Sequence, residues 1–134
     1  MEGFFERTLG PYRPYFLTVL RVVTALLFLQ HGTMKIFGFP GIEGMPSPAM
    51  FSGFWWIGVL EIVGALLLIA GLWTRLAAFV LSGEMAVAYW MAHAPQSFYP
   101  LLNQGETAIL FCFVFLYIAA SGPGAWAVDD RRLT

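Results

Sequence analysis

The stretch LRVVTALLFLQHGTMKIFGF, residues 20–39, decides the fold of this 134-residue chain. It has the roughly 20 mostly apolar residues that a helix needs to cross the apolar part of a bilayer. It nevertheless carries Arg21 near its start, and His31 and Lys35 near its end. Two later apolar runs repeat the pattern, with Glu61 alone in GVLEIVGALLLIAG and Glu84 alone in VLSGEMAVAYW. Ionisable side chains inside membrane-length segments are costly, so each one indicates an inward face or a site.

The composition excludes an ordinary soluble domain. The chain is 59% hydrophobic and 17% aromatic, and only 11% of its residues are charged, whereas a soluble domain is about 25% charged. A net charge of −1 without any basic stretch argues against nucleic-acid binding. The single cysteine, Cys112, excludes an intrachain disulfide and a CxxC dithiol. The length predicts one domain, residues 1–134, and the composition predicts an integral membrane protein.

The apolar runs predict an all-α fold, an integral membrane four-helix bundle. We expect helices over about residues 15–37, 54–72, 74–93 and 102–121. The positive-inside rule then orients the bundle. Five basic residues fall on the side of the two tails and the second connection, and one falls on the other side: Arg7, Arg13, Arg75, Arg131 and Arg132 against Lys35. Both termini are therefore predicted to be cytoplasmic.

Helical periodicity predicts which faces look inward. The inward faces are predicted as Arg21, Thr24, Ala25, Phe28, His31, Gly32 and Lys35 on the first helix, Gly58, Glu61, Gly64, Ala65 and Leu68 on the second, and Asn103, Glu106, Leu110, Phe113 and Tyr117 on the fourth. The small residues around Glu61 favour a close approach between helices.

At 1.5 Å of rise per residue, the charges fall into two layers. Arg21, Glu61 and Glu84 lie roughly 10–17 Å from the cytoplasmic helix ends, so we expect a buried charge cluster in which Arg21 pairs with Glu84 or Glu61. One reading makes this cluster structural, fixing the helix register. However, one arginine cannot neutralise two carboxylates, so the surplus acid is either protonated or paired with something outside this chain. That imbalance indicates function.

The second layer is an outer rim of His31, Lys35, Asn103 and Glu106, roughly 25 Å deep or beyond. One reading takes these as solvated helix-end residues. The other makes them a ligand-binding pocket for a quinone headgroup or a small solute, with apolar walls from Phe28, Leu110 and Phe113. No metal site is predicted, because the histidines lack a metal-ligand spacing.

Several motifs together resemble the DoxX family of small four-helix bacterial membrane proteins. They extend from about residue 20 to residue 130. The first two helices contribute an Arg and a His-Gly-x-x-Lys motif, and a Glu followed by small residues. The rest of the chain contributes a Gly-Leu-x-Thr-Arg turn, a Gly-Glu that opens the fourth helix and a closing Gly-Pro-Gly-x-Trp. In this chain they are Arg21, His31, Gly32, Lys35, Glu61, Gly64, Gly71, Arg75, Gly105, Glu106, Gly122, Pro123, Gly124 and Trp126.

The resemblance implies a multi-pass protein of the bacterial cytoplasmic (inner) membrane. Relatives include the small subunit of a thiosulfate:quinone oxidoreductase and membrane partners of thiol-stress enzymes. Our first hypothesis is therefore an accessory or anchor subunit of a redox system, with a quinone as candidate ligand and a redox protein as partner. The alternatives are proton-coupled transport of a small solute through an oligomer, or a structural partner protein without chemistry of its own. The sequence carries no haem, flavin or dithiol motif, so it assigns no catalytic residue.

Overall fold

The computed structural model describes residues 1–132, with the side chains of residues 1–130, and these residues form helices without any β-strand. The elements are α1 (Glu2–Leu9), α2 (Arg13–Phe37), α3 (Gly53–Ala70), α4 (Thr74–Ala88), α5 (Pro100–Asn103) and α6 (Glu106–Ser121). A 3-10 turn joins α1 to α2, a π-helical segment (Tyr89–His93) continues α4, and a second 3-10 turn (Asp129–Arg132) follows α6. The guanidinium groups of Arg131 and Arg132, which entered the predicted charge bias, lie outside the described side chains.

Local sequence signals set the ends of the helices. The Ser52 hydroxyl accepts a hydrogen bond from the Trp55 amide and so caps the start of α3. Gly38 and Gly71 end α2 and α3 in the left-handed conformation that glycine adopts at no steric cost. The predicted fourth helix is interrupted: Gln104, with a φ of 59°, separates α5 from α6. Apolar runs locate a span but do not reveal such a break.

Glycines allow α2 and α3 to pack closely. A Cβ atom placed on Gly32 would lie 2.9 Å from the Gly58 carbonyl oxygen, and one placed on Gly58 would lie 2.8 Å from the Lys35 Cβ. Neither glycine has space for a larger side chain, so the two helix backbones approach each other directly. This contact brings the last turn of α2 alongside the first turns of α3.

The four helices α2, α3, α4 and α6 contribute to one apolar core. The core contains buried residues from each of them: Ala25, Phe28, Ala65, Leu68, Ala77, Ala78, Leu81, Met85, Ala108, Phe111, Phe115 and Ile118. The inward face predicted for α3 is confirmed in full. The face predicted for α2 is confirmed except that His31 and Lys35 are half-buried.

The inward face predicted for the fourth helix is wrong along α6, although Asn103 before it is buried. Leu110, Phe113 and Tyr117 are about two-thirds exposed, at 65%, 63% and 59%, whereas Phe111 and Phe115 are buried. The helix ETAILFCFVFLYIAAS is apolar on almost every side, so its periodicity carries no contrast between an inward and an outward face. Packing against α4 decides the orientation instead.

Large apolar side chains cover the outside of the molecule, among them Val23 and Leu27 on α2 and Leu66 on α3. Water penalises such a surface, whereas the acyl chains of a bilayer do not. Two helical stretches, Glu2–Phe37 and Gly53–Ala70, are long and apolar enough to cross a membrane, and Glu106–Ser121 is apolar but shorter.

Candidate functional site

Lys35 and Glu61 form an ion pair between α2 and α3. The Lys35 ammonium donates to both carboxylate oxygens of Glu61, at 2.9 and 2.8 Å. Glu61 is only 1% exposed, and the side chain of Lys35 is 16% exposed. The close approach at Gly58 explains the contact, because it lets the four-carbon stem of Lys35 run down the surface of α3.

Glu84 of α4 completes this group, which we call the Lys35 cluster (Lys35, Glu61 and Glu84). Its carboxyl group lies within hydrogen-bonding reach of Glu61 and in the electrostatic field of Lys35. One oxygen, Oε2, is buried and has no hydrogen-bond partner among the described residues. Three helices thus bring two carboxyl groups and one ammonium together. The surplus of acid predicted from the sequence is present, but the cation is Lys35 rather than Arg21.

Arg21 does not join this cluster, which corrects the predicted pairing with Glu61 or Glu84. Its side chain is 1% exposed and donates to the Pro123 carbonyl, while Asp129 and Asp130 act on it electrostatically. Depth along a helix locates the Cα atom, whereas the long stems of arginine and lysine carry the charged group away from it. Arg21 extends towards one end of the helices, and Lys35 extends inward from the other.

The chain after α6 folds over the end of the helices towards which Arg21 extends. Hydrogen bonds to α2 and α4 hold it there. The Thr18 hydroxyl donates to the Ala125 carbonyl at 2.6 Å. Asp129 accepts hydrogen bonds from the amides of Trp73 and Thr74, at 2.8 and 2.9 Å, and so caps the start of α4. We call this region the Arg21 end (Arg21, Arg75, Thr18 and residues 122–129).

Arg75 performs the complementary task at the last turn of α6. Its guanidinium group donates to the carbonyl oxygens of Ala119, at 3.0 Å, and Ala120. These carbonyls have no partner inside the helix, and a cation is favourable at the negative end of the helix dipole. The Arg of the Gly-Leu-x-Thr-Arg turn and the closing Gly-Pro-Gly segment therefore hold the structure together.

Among the predicted rim residues, His31 has a buried ring nitrogen without a hydrogen-bond partner among the described residues. Its ring stacks on Phe28, with a centroid distance of 5.8 Å, and meets the edge of Phe111 at 5.6 Å. Its Nδ1 atom is buried and has no hydrogen-bond partner within the described part of the chain. A cleft of about 210 Å³ opens beside it, lined by Gln30, His31, Met34, Pro40, Gly41 and Ile42.

The other predicted rim residues do not meet His31 in one pocket. Lys35 is engaged by Glu61, and Glu106 is exposed at the start of α6. Asn103 is fully buried: its amide group donates to the Ser97 carbonyl at 2.9 Å, and its Oδ1 accepts from the Gly105 amide at 2.8 Å. These contacts shape the break between α5 and α6, so Asn103 serves the backbone there rather than a ligand.

Two further aromatic side chains lie near this end. Phe111, rather than Leu110 or Phe113, forms the aromatic wall beside His31. His93 uses its Nδ1 to donate to the Asn103 carbonyl at 2.9 Å and so has a structural partner at that atom. Within residues 1–132, no group of three or more His, Cys, Asp or Glu side chains is arranged to hold a metal ion.

The sequence and this architecture define a membrane protein of a recognised class. The model of the DoxX family matches residues 16–94, more than half of the chain, so the chain belongs to the DoxX family. An uncharacterized protein of Haemophilus influenzae is 46% identical over 131 residues, covering 92% of this chain and 95% of the relative. The comparison with solved structures gives no match.

Two more distant relatives have names that place them in membranes. The inner membrane protein YphA of Escherichia coli is 28% identical, with 91% of this chain and 94% of the relative covered. An uncharacterized membrane protein of Mycobacterium tuberculosis is 27% identical, with 95% of this chain and 87% of the relative covered. The protein is thus a DoxX family membrane protein.

Proposed function

We propose that the chain is one domain that crosses the bacterial inner membrane four times, with both termini in the cytoplasm. Besides the two long apolar stretches, α4 and its π-helical continuation form an unbroken helical run of membrane length. The start of α2, the α3–α4 turn and the end of α6 meet at the Arg21 end, as alternating spans require. The basic residues Arg7, Arg13 and Arg75 favour the cytoplasm for that end.

Labelling tests this topology. Glu43→Cys, made in a Cys112→Ser background, places a thiol in the α2–α3 connection. A membrane-impermeant maleimide should label it in intact spheroplasts. Labelling only after permeabilisation would show that the α2–α3 connection faces the cytoplasm and that the proposed topology is inverted.

We propose that the protein is a membrane accessory subunit of a redox system and binds a quinone-like molecule at His31. One observation carries the proposal: among the described residues the buried Nδ1 of His31 has no partner, although it lies beside a cleft and between two aromatic rings. An imidazole can donate to or accept from a ring carbonyl, and buried polar atoms without partners are uncommon. Ligand sites combine mostly apolar walls with few polar groups.

The size of the cleft limits the kind of ligand that can bind there. Its volume of about 210 Å³ is smaller than the roughly 300–1,000 Å³ typical of pockets for drug-sized ligands. It suits a planar headgroup whose hydrophobic tail leaves towards the lipid. The chain has no haem, flavin or dithiol motif, so the electrons come from a redox partner protein, and the chain positions the ring.

A binding measurement with a short-chain ubiquinone tests the proposal on protein in lipid nanodiscs. His31→Phe keeps the aromatic packing but removes both ring nitrogens, so affinity should fall at least tenfold. His31→Asn retains a polar group near the Nδ1 position and should retain part of the affinity. Glu106→Gln is the matched control at the same end of the molecule and should bind like the wild type. Equal losses of affinity in His31→Phe and Glu106→Gln would place the ligand away from His31.

A second candidate function is proton-coupled transport of a small solute by an oligomer. The Lys35 cluster supports it, because ionisable groups buried between membrane helices are typical of proton pathways. Proteoliposomes containing the purified protein and a pH-sensitive dye distinguish the two functions. Proton flux that is lost in Glu84→Gln and kept in His31→Phe would favour transport, and absence of flux would favour the accessory subunit.

A further inference from the structure

The Lys35 cluster contains more acid than base. Glu61 is already bound by both of its oxygens to the ammonium of Lys35. Glu84 adds a second carboxyl group within reach of Glu61. Two ionised carboxylates repel each other at such a distance, particularly where water is scarce. The carboxyl group of Glu84 must therefore be neutral for the cluster to balance its charge.

Hydrogen-bond chemistry leads to the same conclusion. A carboxylate only accepts hydrogen bonds, so two carboxyl groups bond to each other only when one of them carries a proton. Within the described chain, the buried Oε2 of Glu84 has no donor against it. A proton on Glu84 makes its carboxyl group a donor to Glu61, so the two groups can approach each other.

The described side chains around the cluster offer no other counter-ion. The charged groups that act on Glu84 are Glu61 from α3 and Lys35 from α2, and no charged side chain of α6 acts on it. His31 lies one turn before Lys35 on α2, and Arg21 is directed to the opposite end. Glu84 is half-buried whereas Glu61 is 1% exposed, so Glu84 is the more accessible of the two carboxyl groups.

We infer that Lys35, Glu61 and Glu84 form a binding site for one exchangeable proton, carried by Glu84 and held against the Lys35–Glu61 ion pair. On release, the proton passes from the Glu84 carboxyl to water, and Glu84 becomes a carboxylate that shares the single ammonium with Glu61. Uptake reverses the transfer, and no bond between heavy atoms changes. The inference does not depend on a quinone at His31, and it identifies the group that a proton-coupled activity would use.

Infrared spectroscopy tests the site directly, because the C=O stretch of a protonated carboxyl group is separate from the amide bands. The protein in lipid nanodiscs at neutral pH should show one such band, and the band should shift after transfer to D2O. It should disappear in Glu84→Gln and persist in Glu106→Gln. Absence of the band, or a band that Glu84→Gln leaves unchanged, would overturn the assignment, as would a band that never exchanges its proton.

Charge counting gives a second test that does not rely on spectroscopy. Glu61→Gln should still fold, because Glu84 then ionises and pairs with Lys35, and the infrared band should vanish. Glu84→Gln should also fold, since its amide donates to Glu61 as the proton did. The double variant leaves Lys35 without any carboxylate and should lose most of its folded yield, which Lys35→Met should restore. A double variant as stable as the single variants would show that the three groups do not share one charge balance.

Quinone binding separates the two proposals. Loss of the infrared band in a variant that still binds ubiquinone would show an effect on the proton site alone. Loss of ubiquinone binding in His31→Phe with the band retained would show an effect on the ligand site alone.

Discussion

The Arg21 end and the Lys35 cluster both contain cations that connect separate segments of the chain, but these cations donate hydrogen bonds to different kinds of partner. At the Arg21 end the cations donate to backbone carbonyls: Arg21 to Pro123 and Arg75 to the last turn of α6. In the Lys35 cluster the partners are ionisable side chains from three helices. A backbone carbonyl cannot gain or lose a proton, so these hydrogen bonds of the first region fix the structure. The second can change its protonation without unfolding.

The largest effect should come from removing the cation of the Lys35 cluster. Lys35→Met leaves Glu61 buried without its counter-ion, and breaking a buried ion pair costs about 3–5 kcal/mol. Unfolding in mixed micelles should show this loss, and Lys35→Met combined with Glu61→Gln should recover most of it. A single variant as stable as the wild type would mean that the pair is solvated, and the contrast between the regions would fail.

Arg21→Met should have the next largest effect. It removes the charged donor from the Pro123 carbonyl, and a hydrogen bond to a charged group contributes about 1.5–3 kcal/mol. The change should also free the segment after α6, which limited proteolysis detects. Arg13→Met is the control: Arg13 pairs with Glu6 on the surface, with 70% of its side chain exposed, and should leave both readouts unchanged.

Asp129→Ala tests the fastening of the chain after α6 to α4. It removes the acceptor for the Trp73 and Thr74 amides, and loss of a helix cap costs about 1 kcal/mol. Asp129→Asn retains an acceptor oxygen and should recover about half of the loss. Equal stability of the Ala variant and the wild type would exclude a capping role.

His31→Phe should have the smallest effect on stability, about 0.5 kcal/mol or less, because no described residue bonds to the Nδ1 that the substitution removes. Thermal unfolding in detergent measures it. The matched His93→Phe variant loses the hydrogen bond to the Asn103 carbonyl and should be clearly less stable. If the two variants were equally destabilised, the His31 ring would have a structural partner too.

Much of this arrangement was predictable where polarity differs around a helix. Arg21 and Thr24 on α2, and Glu61 between glycines on α3, indicate the inward faces that the structure confirms. The family assignment also followed from residues spread along the chain. The orientation of α6 was not predictable, because Leu110 and Phe111 are equally apolar and only packing against α4 distinguishes them.

The partners of the charges could not be predicted from depth alone. Lys35 was assigned to a rim, yet its stem carries the ammonium inward to Glu61. The carbonyl of Pro123 gives no signal in the sequence as a partner for Arg21, because every residue has a carbonyl and only the folded loop places this one. His31 was predicted on the inward face of the first helix and is half-buried there, whereas Asn103 is fully buried in the connection that precedes α6.

The glycine contact between α2 and α3 has a consequence for the Lys35 cluster. Gly32 and Gly58 let these helices pack as one close pair, and α4 packs mainly on α6 as a second pair. Glu61 belongs to the first pair and Glu84 to the second, so their carboxyl groups face each other across the seam. Lys35 and Glu61 lie within the first pair, so their ion pair does not cross between the pairs. The proton proposed on Glu84 joins the two pairs, because it is held between a carboxyl group of α4 and one of α3.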